Sequence, residues 1–315
     1  MRLLIADKLH PRAIEELRTL PLEVVYEPEL TRESLETRLQ GVGILVVRST
    51  EVTATAIEAT KQLNLIVRAG AMFNTIDVRA ASKRGIYVAN CPGKNASAVA
   101  ELVFGLMFSL DRRIPDAVAS LRAGKWERQE YGKAEGLYGK TLGVAGMGAI
   151  GREVAHRAKS LGLNVIAWSR SLTPTRAAEL GVTWVASIDE LASKSHVLSL
   201  HLSLNDRTRR IVNRRVLGLL PERAMLVNTA RSDLVDVEAM VEHAEKRGLR
   251  VGLDVFPEEP RGSKTFPTPE LFKSYPSGGL VYGTPHIAAA TDQAQLAIAT
   301  ETVRVIRSFL LEGMV

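Results

Sequence analysis

The chain has 315 residues, 46% hydrophobic and 24% charged, with 41 Lys and Arg against 35 Asp and Glu for a formal net charge of +6. That length exceeds one small core and fits two domains of ordinary size. No apolar run approaches the ~20 residues of a membrane span, the start turns polar after one short strand-like run, and basic and acidic residues are interspersed; this argues against a membrane protein, a secreted one and a nucleic-acid binder.

The expectation is a cytoplasmic protein whose partners are small anionic molecules, with no nucleic acid and no membrane. A lone cysteine, Cys91, can neither close an internal disulfide nor complete a zinc-ligand spacing. It reads as a small buried hydrophobe, and no metal site is expected.

In chain order, short β-branched runs alternate with helical stretches: RLLIA at 2–6, EVVY at 23–26, GILVV at 43–47, NLIVR at 64–68 and IYVAN at 86–90. This is the rhythm of a parallel sheet covered by helices. Between Asn95 and Leu110 the residues Val99, Leu102, Val103, Leu106, Met107 and Leu110 recur at helical spacing, with Asn95 or Ser97 as the cap and Pro115 ending that helix or starting the next. A polar, glycine-dotted crossing, KWERQEYGKAEGLYGK, leads into a second series of strands: TLGVAG, NVIAW, VTWVA, HVLSLHL, AMLVNTA, LRVGLDVF and GLVYGTPH. The closing stretch, Thr291 to Leu311, predicts a helix with apolar Leu296, Ile298, Val303 and Ile306, too short for a domain and expected to return to the first half.

Gly146, Gly148 and Gly151 spell G-x-G-x-x-G, with Ala149 and Ile150 inside the turn, directly after the strand Thr141 to Ala145 and before a helix expected near Arg152. In that context the first glycine permits the tight turn, the second lets a pyrophosphate approach the backbone, and the third lets helix lie on strand. The helix start then favours an anionic dinucleotide. An NAD enzyme of this fold usually places an acid about 20 residues on, to accept from the adenosine ribose. Here Ser169 and Arg170 stand at the end of that strand. A hydroxyl and a guanidinium suit a ribose phosphate, so the cofactor is NAD or NADP with NADP favoured.

Three later strand ends carry chemistry: NTAR ending at Arg231, GLDVFPEEP with Asp254 and Glu259, and TPHIAAAT with His286. Ligand sites in open α/β sheets lie beyond such carboxyl ends. Arg231 suits a substrate carboxylate bound through two parallel hydrogen bonds, His286 a hydroxyl proton, and Glu259 the second ring nitrogen. His201 sits at a strand end beside the cofactor turn, where backbone contacts and no proton transfer are expected. His10, His156, His196 and His243 read as surface or packing residues.

The segments LVVRSTEVTA, RAGAMFNTIDVRAAS, NASAVAEL, KWER, GMGAIG, VNTARSDLVD, LDVFPEEP and TPHIAAAT, in this order, resemble the D-isomer-specific 2-hydroxyacid dehydrogenase family over almost the whole chain. The resemblance implies two doubly wound α/β domains: a Rossmann dinucleotide-binding domain, 94–287, inserted in a flavodoxin-like substrate-binding domain, 1–93 and 288–315. It implies a catalytic trio of Arg231, Glu259 and His286, with Asp254 near the nicotinamide and Thr229 and Ala230 bordering it. It also implies a homodimer through the Val99 to Leu110 region, and a 2-hydroxy or 2-keto acid as substrate.

The branch acting on 3-phosphoglycerate, at the entry to serine synthesis, resembles the chain most. VRST, VRAG and KWER supply Arg48, Arg68 and Arg128 at positions that hold the substrate phosphate there, with Ala71 and Met72 lining the site. Met72 and Phe73 depart from the glycine and small apolar residue common in the family, which keeps an NADPH-dependent glyoxylate or hydroxypyruvate reductase in view. The short stretch after His286 leaves no regulatory domain to expect. A dinucleotide-sensing binding protein resembling the family's corepressors is the reading from another class.

Overall fold

The computed structural model describes residues 1–73, 75–259, 266 and 271–313. Its contacts divide the chain into two compact units, Met1–Asn95 with Ala289–Val315, and Ala96–Ala288.

The first unit is built on five parallel strands: β1 (Arg2–Ile5), β2 (Glu23–Tyr26), β3 (Val42–Val47), β4 (Leu65–Arg68) and β5 (Tyr87–Asn90), in the order β2-β1-β3-β4-β5. Central β3, VGILVV, is buried at every position, while edge strand β2 is at most half-buried. A strand covered on both faces has no solvent side to mark with polar residues, which is why it reads as an unbroken apolar run. Alternate residues go to opposite faces: Leu3, Ile5, Ile44, Val46, Leu65 and Val67 join one cluster, Leu4, Leu45, Val47 and Ile66 the other.

The helix Asp292–Glu312 places Ile298, Val303 and Ile306 in the first of those clusters, so it completes this unit. Each such side chain contributes ~1.5–3 kcal/mol by leaving water. Leu296, expected on the same face, is only partly buried. Cys91 is fully buried, its thiol near the Ile298 carbonyl and the Thr302 hydroxyl, and burial pushes its pKa up.

The second unit holds seven parallel strands: β6 (Thr141–Ala145), β7 (Asn164–Trp168), β8 (Thr183–Trp184), β9 (Val197–Leu200), β10 (Met225–Asn228), β11 (Arg250–Leu253) and β12 (Leu280–Gly283). Their order is β12-β11-β10-β9-β6-β7-β8, a doubly wound sheet whose strand order reverses between β6 and β9. Strands β9, β10 and β11 are wholly buried. The run VTWVA yields only the two-residue edge strand β8.

The helix expected from Asn95 runs Ala96–Arg112, but neither proposed residue caps it: the Asn95 side-chain oxygen has no hydrogen-bond partner among the described residues and the Ser97 hydroxyl accepts from Arg157. Pro115 starts the next helix, Ile114–Arg122, where its missing N–H costs nothing. The polar crossing contains one helical turn, Arg128–Tyr131. Among the described residues no helix is long and apolar enough to cross a membrane.

Candidate active site

The turn after β6 needs each glycine for a different reason. Gly146 has φ +104°, and a Cβ there would stand 2.6 Å from the His201 carbonyl oxygen. Gly148 caps the helix Ala149–Ser160, and a Cβ on it would meet nothing within 4 Å, so the approach to the helix start is open. At Gly151 a Cβ would stand 1.9 Å from the Gly146 carbonyl oxygen. The helix therefore begins at Ala149, not near Arg152: Gly148 needs no side chain to precede it, and Gly151 already lies in its first turn. No acidic residue occupies that turn, so its free N–H groups and positive dipole end are uncompensated.

The Gly146 N–H donates to the Trp168 carbonyl at 2.8 Å, which brings Ser169 and Arg170 beside the glycine turn. Arg170 is exposed and forms no ion pair with the described residues. At the neighbouring strand end, His201 Nε2 meets Ser199 Oγ at 2.9 Å, and burial lowers the pKa of His201 to about 3. It is a neutral imidazole near neutral pH, with one ring N–H, and is unsuited to take up a second proton there.

Three adjacent strand ends bring the next groups forward. After β10, the buried Asn228 shapes the turn: its Oδ1 accepts from the Ala230 N–H at 3.0 Å, and its Nδ2 donates to the Arg231 carbonyl at 2.8 Å. Arg231 is half-buried, donates to the Ala230 carbonyl and faces no described carboxylate within ion-pair distance. After β11, Glu259 Oε1 accepts from the Phe256 N–H at 3.0 Å, and its Oε2 lies 2.6 Å from His286 Nδ1. Pro260, which follows in sequence, lies outside the described residues.

His286 itself sits at φ +52°, a left-handed conformation costly for a residue with a side chain. The fully buried Asp254 holds that turn: it accepts from Thr284 Oγ1 at 2.6 Å, the Ile287 N–H at 2.8 Å and the Ala288 N–H at 2.9 Å. The resemblance implies a place for Asp254 near the nicotinamide; both of its oxygens are engaged by the loop that carries His286.

The charges within this group reinforce one another. The hydrogen bond to Glu259, against the opposing effect of burial, raises the pKa of His286, with the carboxylates of Glu259 and Asp254 adding to it and Arg231 subtracting. Burial alone would raise Glu259. The His286 hydrogen bond, the Phe256 N–H and the charges of His286 and Arg231 together hold it below the usual carboxylate value.

In the first unit, Arg48 directly follows β3 and Arg68 ends β4, followed by half-buried Ala71 and Met72 and exposed Phe73. The Ala71 carbonyl accepts from Asn90 Nδ2 at 2.7 Å. Sequence reasoning missed Asp7, whose Oδ2 gathers the N–H groups of Arg48, Ser49 and Thr50 at 2.6, 3.1 and 3.0 Å while its Oδ1 accepts from Ser49 Oγ at 2.9 Å. An acid directly after the apolar run RLLIA was the available signal. Arg128 belongs to the second unit, exposed at the start of its short helix. Three other histidines have structural partners: His10 accepts from the Arg12 N–H, His196 from the Thr141 N–H, and His243 meets the Ala239 carbonyl.

The profile of the D-isomer-specific 2-hydroxyacid dehydrogenase NAD-binding domain matches residues 104–288. Hydroxypyruvate reductase of Thermotoga maritima is 42% identical over 287 residues, covering 90% of both chains. The chain belongs to the D-isomer-specific 2-hydroxyacid dehydrogenase family. Another family relative, D-3-phosphoglycerate dehydrogenase of Methanocaldococcus jannaschii, is 39% identical over 321 aligned positions that take in 100% of this chain but 59% of that protein, so the chain spans about three fifths of it. The crystal structure of the TT0316 protein from Thermus thermophilus superposes with a TM-score of 0.87 at 33% identity, over 100% of this chain and 98% of that one.

An NAD-binding domain of this dehydrogenase family implies a nicotinamide dinucleotide, and the residues present fit one. Beside the open helix start, His201 Nδ1 and Thr229 Oγ1 are buried without a hydrogen-bond partner among the described residues. Such orphaned groups cost free energy until something polar satisfies them.

Proposed function

We propose that the protein is an NAD(P)-dependent D-2-hydroxyacid dehydrogenase with Arg231, Glu259 and His286 as its catalytic residues. The observation that carries this reading is the 2.6 Å contact between Glu259 Oε2 and His286 Nδ1, which fixes the imidazole and leaves Nε2 as the proton-carrying atom. The first unit, with Arg48, Arg68, Ala71 and Met72, and Arg128 of the second, would contact the substrate.

When bound, the dinucleotide supplies the acceptor or donor of hydride. Gly146, Gly148, Ala149, Ile150 and Gly151 would hold its phosphates, Ser169 and Arg170 its adenosine ribose, and His201, Thr229 and Ala230 the stretch towards the nicotinamide. Arg231 binds the substrate carboxylate through its free guanidinium edge, which orients the carbon that gains or loses hydride. His286 takes the hydroxyl proton in oxidation and returns it to the carbonyl oxygen in reduction. Glu259 holds the ring and stabilises the imidazolium, and Asp254 holds the turn beneath it.

The raised pKa of His286 gives a pH prediction. Reduction of a keto acid needs the imidazolium, so activity in that direction is lost as pH rises through the His286 pKa, above its ordinary value of 6.5 in the native protein. Glu259→Gln removes the main cause of the shift, and the falling limb of kcat/KM for reduction should move to lower pH. A limb that stays in place in that variant would remove Glu259 from the proton step.

For the substrate, Arg48, Arg68 and Arg128 support a phosphorylated three-carbon acid, 3-phosphoglycerate first, which would place the protein at the entry to serine synthesis. Two observations favour glyoxylate or hydroxypyruvate as the second reading: the match to a hydroxypyruvate reductase over 90% of both chains, and the apolar pair Met72 and Phe73. A kinetic panel of 3-phosphoglycerate, glyoxylate and hydroxypyruvate with each cofactor tests all of this. Turnover of none of them would overturn the enzymatic reading and leave a dinucleotide-sensing protein.

NADP preference is part of the proposal, supported by the exposed Arg170 beside the glycine turn, which has no ion pair among the described residues. Arg170→Ser should raise KM for NADPH about tenfold, the loss of a charge-assisted hydrogen-bond pair to phosphate, and leave KM for NADH within about twofold. Equal effects on both cofactors would assign Arg170 no part in the choice. A cytoplasmic homodimer completes the reading.

A further inference from the structure

The strands of the second unit all run the same way, so their starts line one edge of its sheet and their ends, with Gly146, Thr229 and Asp254, the other. At the starting edge, where Arg250 opens β11 and Leu280 opens β12, lies a cavity of about 380 Å³ that the proposed chemistry does not use. That volume falls in the range of small-molecule sites. Its lining carries five cationic side chains against three carboxylates.

The pairing of those charges is uneven. Arg113 and Lys133 share Glu130, and Arg113 also holds Asp116. The buried Asp111 accepts from the Gly136 N–H. Glu135 is the one carboxylate within ion-pair distance of Lys140, Arg223 (3.2 Å) and Arg250 (3.9 Å) among the described residues, with the charge of Asp111 acting on Arg250 from further off. Arg250 is 5% exposed, with Nε and Nη2 donating to the Arg223 carbonyl, and Arg112 on the rim has no ion pair among the described residues. A buried guanidinium with a distant, shared counter-charge is costly unless an anion completes its surroundings. Tyr275, 7% exposed and in the same lining, adds a buried phenol oxygen with no hydrogen-bond partner among the described residues. Burial raises the pKa of that phenol, so it stays a donor.

We infer that this cavity is a second anion site, which takes inorganic phosphate or the phosphoryl group of a small metabolite on Arg250, Arg223 and Arg112. Glu135 is the internal carboxylate that stands in for the anion. It sits on a loop with glycine at both ends, Gly132 and Gly136, the latter at φ +80°, and its side chain is 39% exposed, so it can swing out as an anion enters. The ligand and Glu135 compete for the same cations.

Isothermal titration of the full chain tests this, with inorganic phosphate in one arm and glycerol 2-phosphate in the other. The proteins are the wild type, Glu135→Gln, and the double variant Arg112→Ala with Arg223→Asn; asparagine tolerates the positive φ of 58° at Arg223. Phosphate bound at the glycine turn or at Arg231 is common to all three, so differences report the cavity alone. Glu135→Gln should bind about tenfold more tightly and the double variant about tenfold more weakly, since one charge a few ångströms from the ligand is worth at least that much near a protein surface. Binding in the first arm alone assigns the site to free phosphate, and stronger binding in the second assigns it to a phosphorylated metabolite. A folded double variant that keeps the wild-type affinity for both probes overturns the proposal, whatever Glu135→Gln does.

Discussion

Replacing His286 with asparagine is expected to lower kcat by about 10²–10⁴-fold in either direction, the usual contribution of a positioned general acid or base. Asparagine is the informative choice because position 286 has φ +52°, and asparagine is among the few residues that adopt that conformation at low cost. Alanine would combine the loss of the imidazole with strain in the turn held by Asp254. Asparagine keeps the turn and can still donate to Glu259, yet it cannot exchange a proton near neutral pH. Cofactor affinity, read by quenching of protein fluorescence, should stay within about twofold of the wild type, since no cofactor-holding group is touched. A variant that retains kcat within about threefold, well short of any general acid or base effect, would take the proton step away from His286.

The glycine turn was legible because Gly146 and Gly151 each answer a local steric demand that only glycine meets, while Gly148 keeps the start of the helix open. The strands were legible for the opposite reason. Buried on both faces, β3, β9, β10 and β11 could carry little except apolar residues, so runs such as GILVV and AMLV marked them without any alternation. The short edge strand β8 was overread, since VTWVA is apolar enough for a longer strand but has a neighbour on one side only.

What the sequence hid was the loop-holding role of two acids, one of them, Asp7, missed altogether. Asp7 and Asp254 each follow an apolar strand and each gather donors from a segment far along the chain, residues 48–50 and 284–288. Their partners are mostly backbone N–H groups, which every sequence possesses and none advertises. The positive φ of His286 was hidden for the same reason: the turn TPHIAAAT is held by contacts to Asp254, thirty residues back, together with a bond from the His286 N–H to the Thr284 carbonyl. The resemblance named the residues of the trio, but the loop that aims His286 is visible only in three dimensions.

The same steric logic separates two glycine substitutions that look alike on paper. At Gly151 an added methyl group would meet the Gly146 carbonyl oxygen at 1.9 Å and Val144 Cγ1 at 3.3 Å. Gly146 cannot retreat, because its N–H is bonded to the Trp168 carbonyl and the side where its own Cβ would stand faces the His201 carbonyl. Gly151→Ala should therefore cost about 1–3 kcal/mol as overpacking against backbone, lower the melting temperature by roughly 2–4 °C for each kcal/mol, and weaken dinucleotide binding at least about tenfold. At Gly148 the added methyl group meets nothing within 4 Å. Gly148→Ala should thus leave the melting temperature of the ligand-free protein within about one degree, an effect well under 0.5 kcal/mol, while it obstructs the approach to the helix start and weakens the dinucleotide by a similar factor. Thermal melts of both variants with and without cofactor read the two effects separately. Equal melting temperatures for Gly151→Ala and the wild type would mean that the turn yields where its hydrogen bonds say it cannot. Unimpaired cofactor binding by Gly148→Ala would mean that the dinucleotide does not enter over the start of that helix.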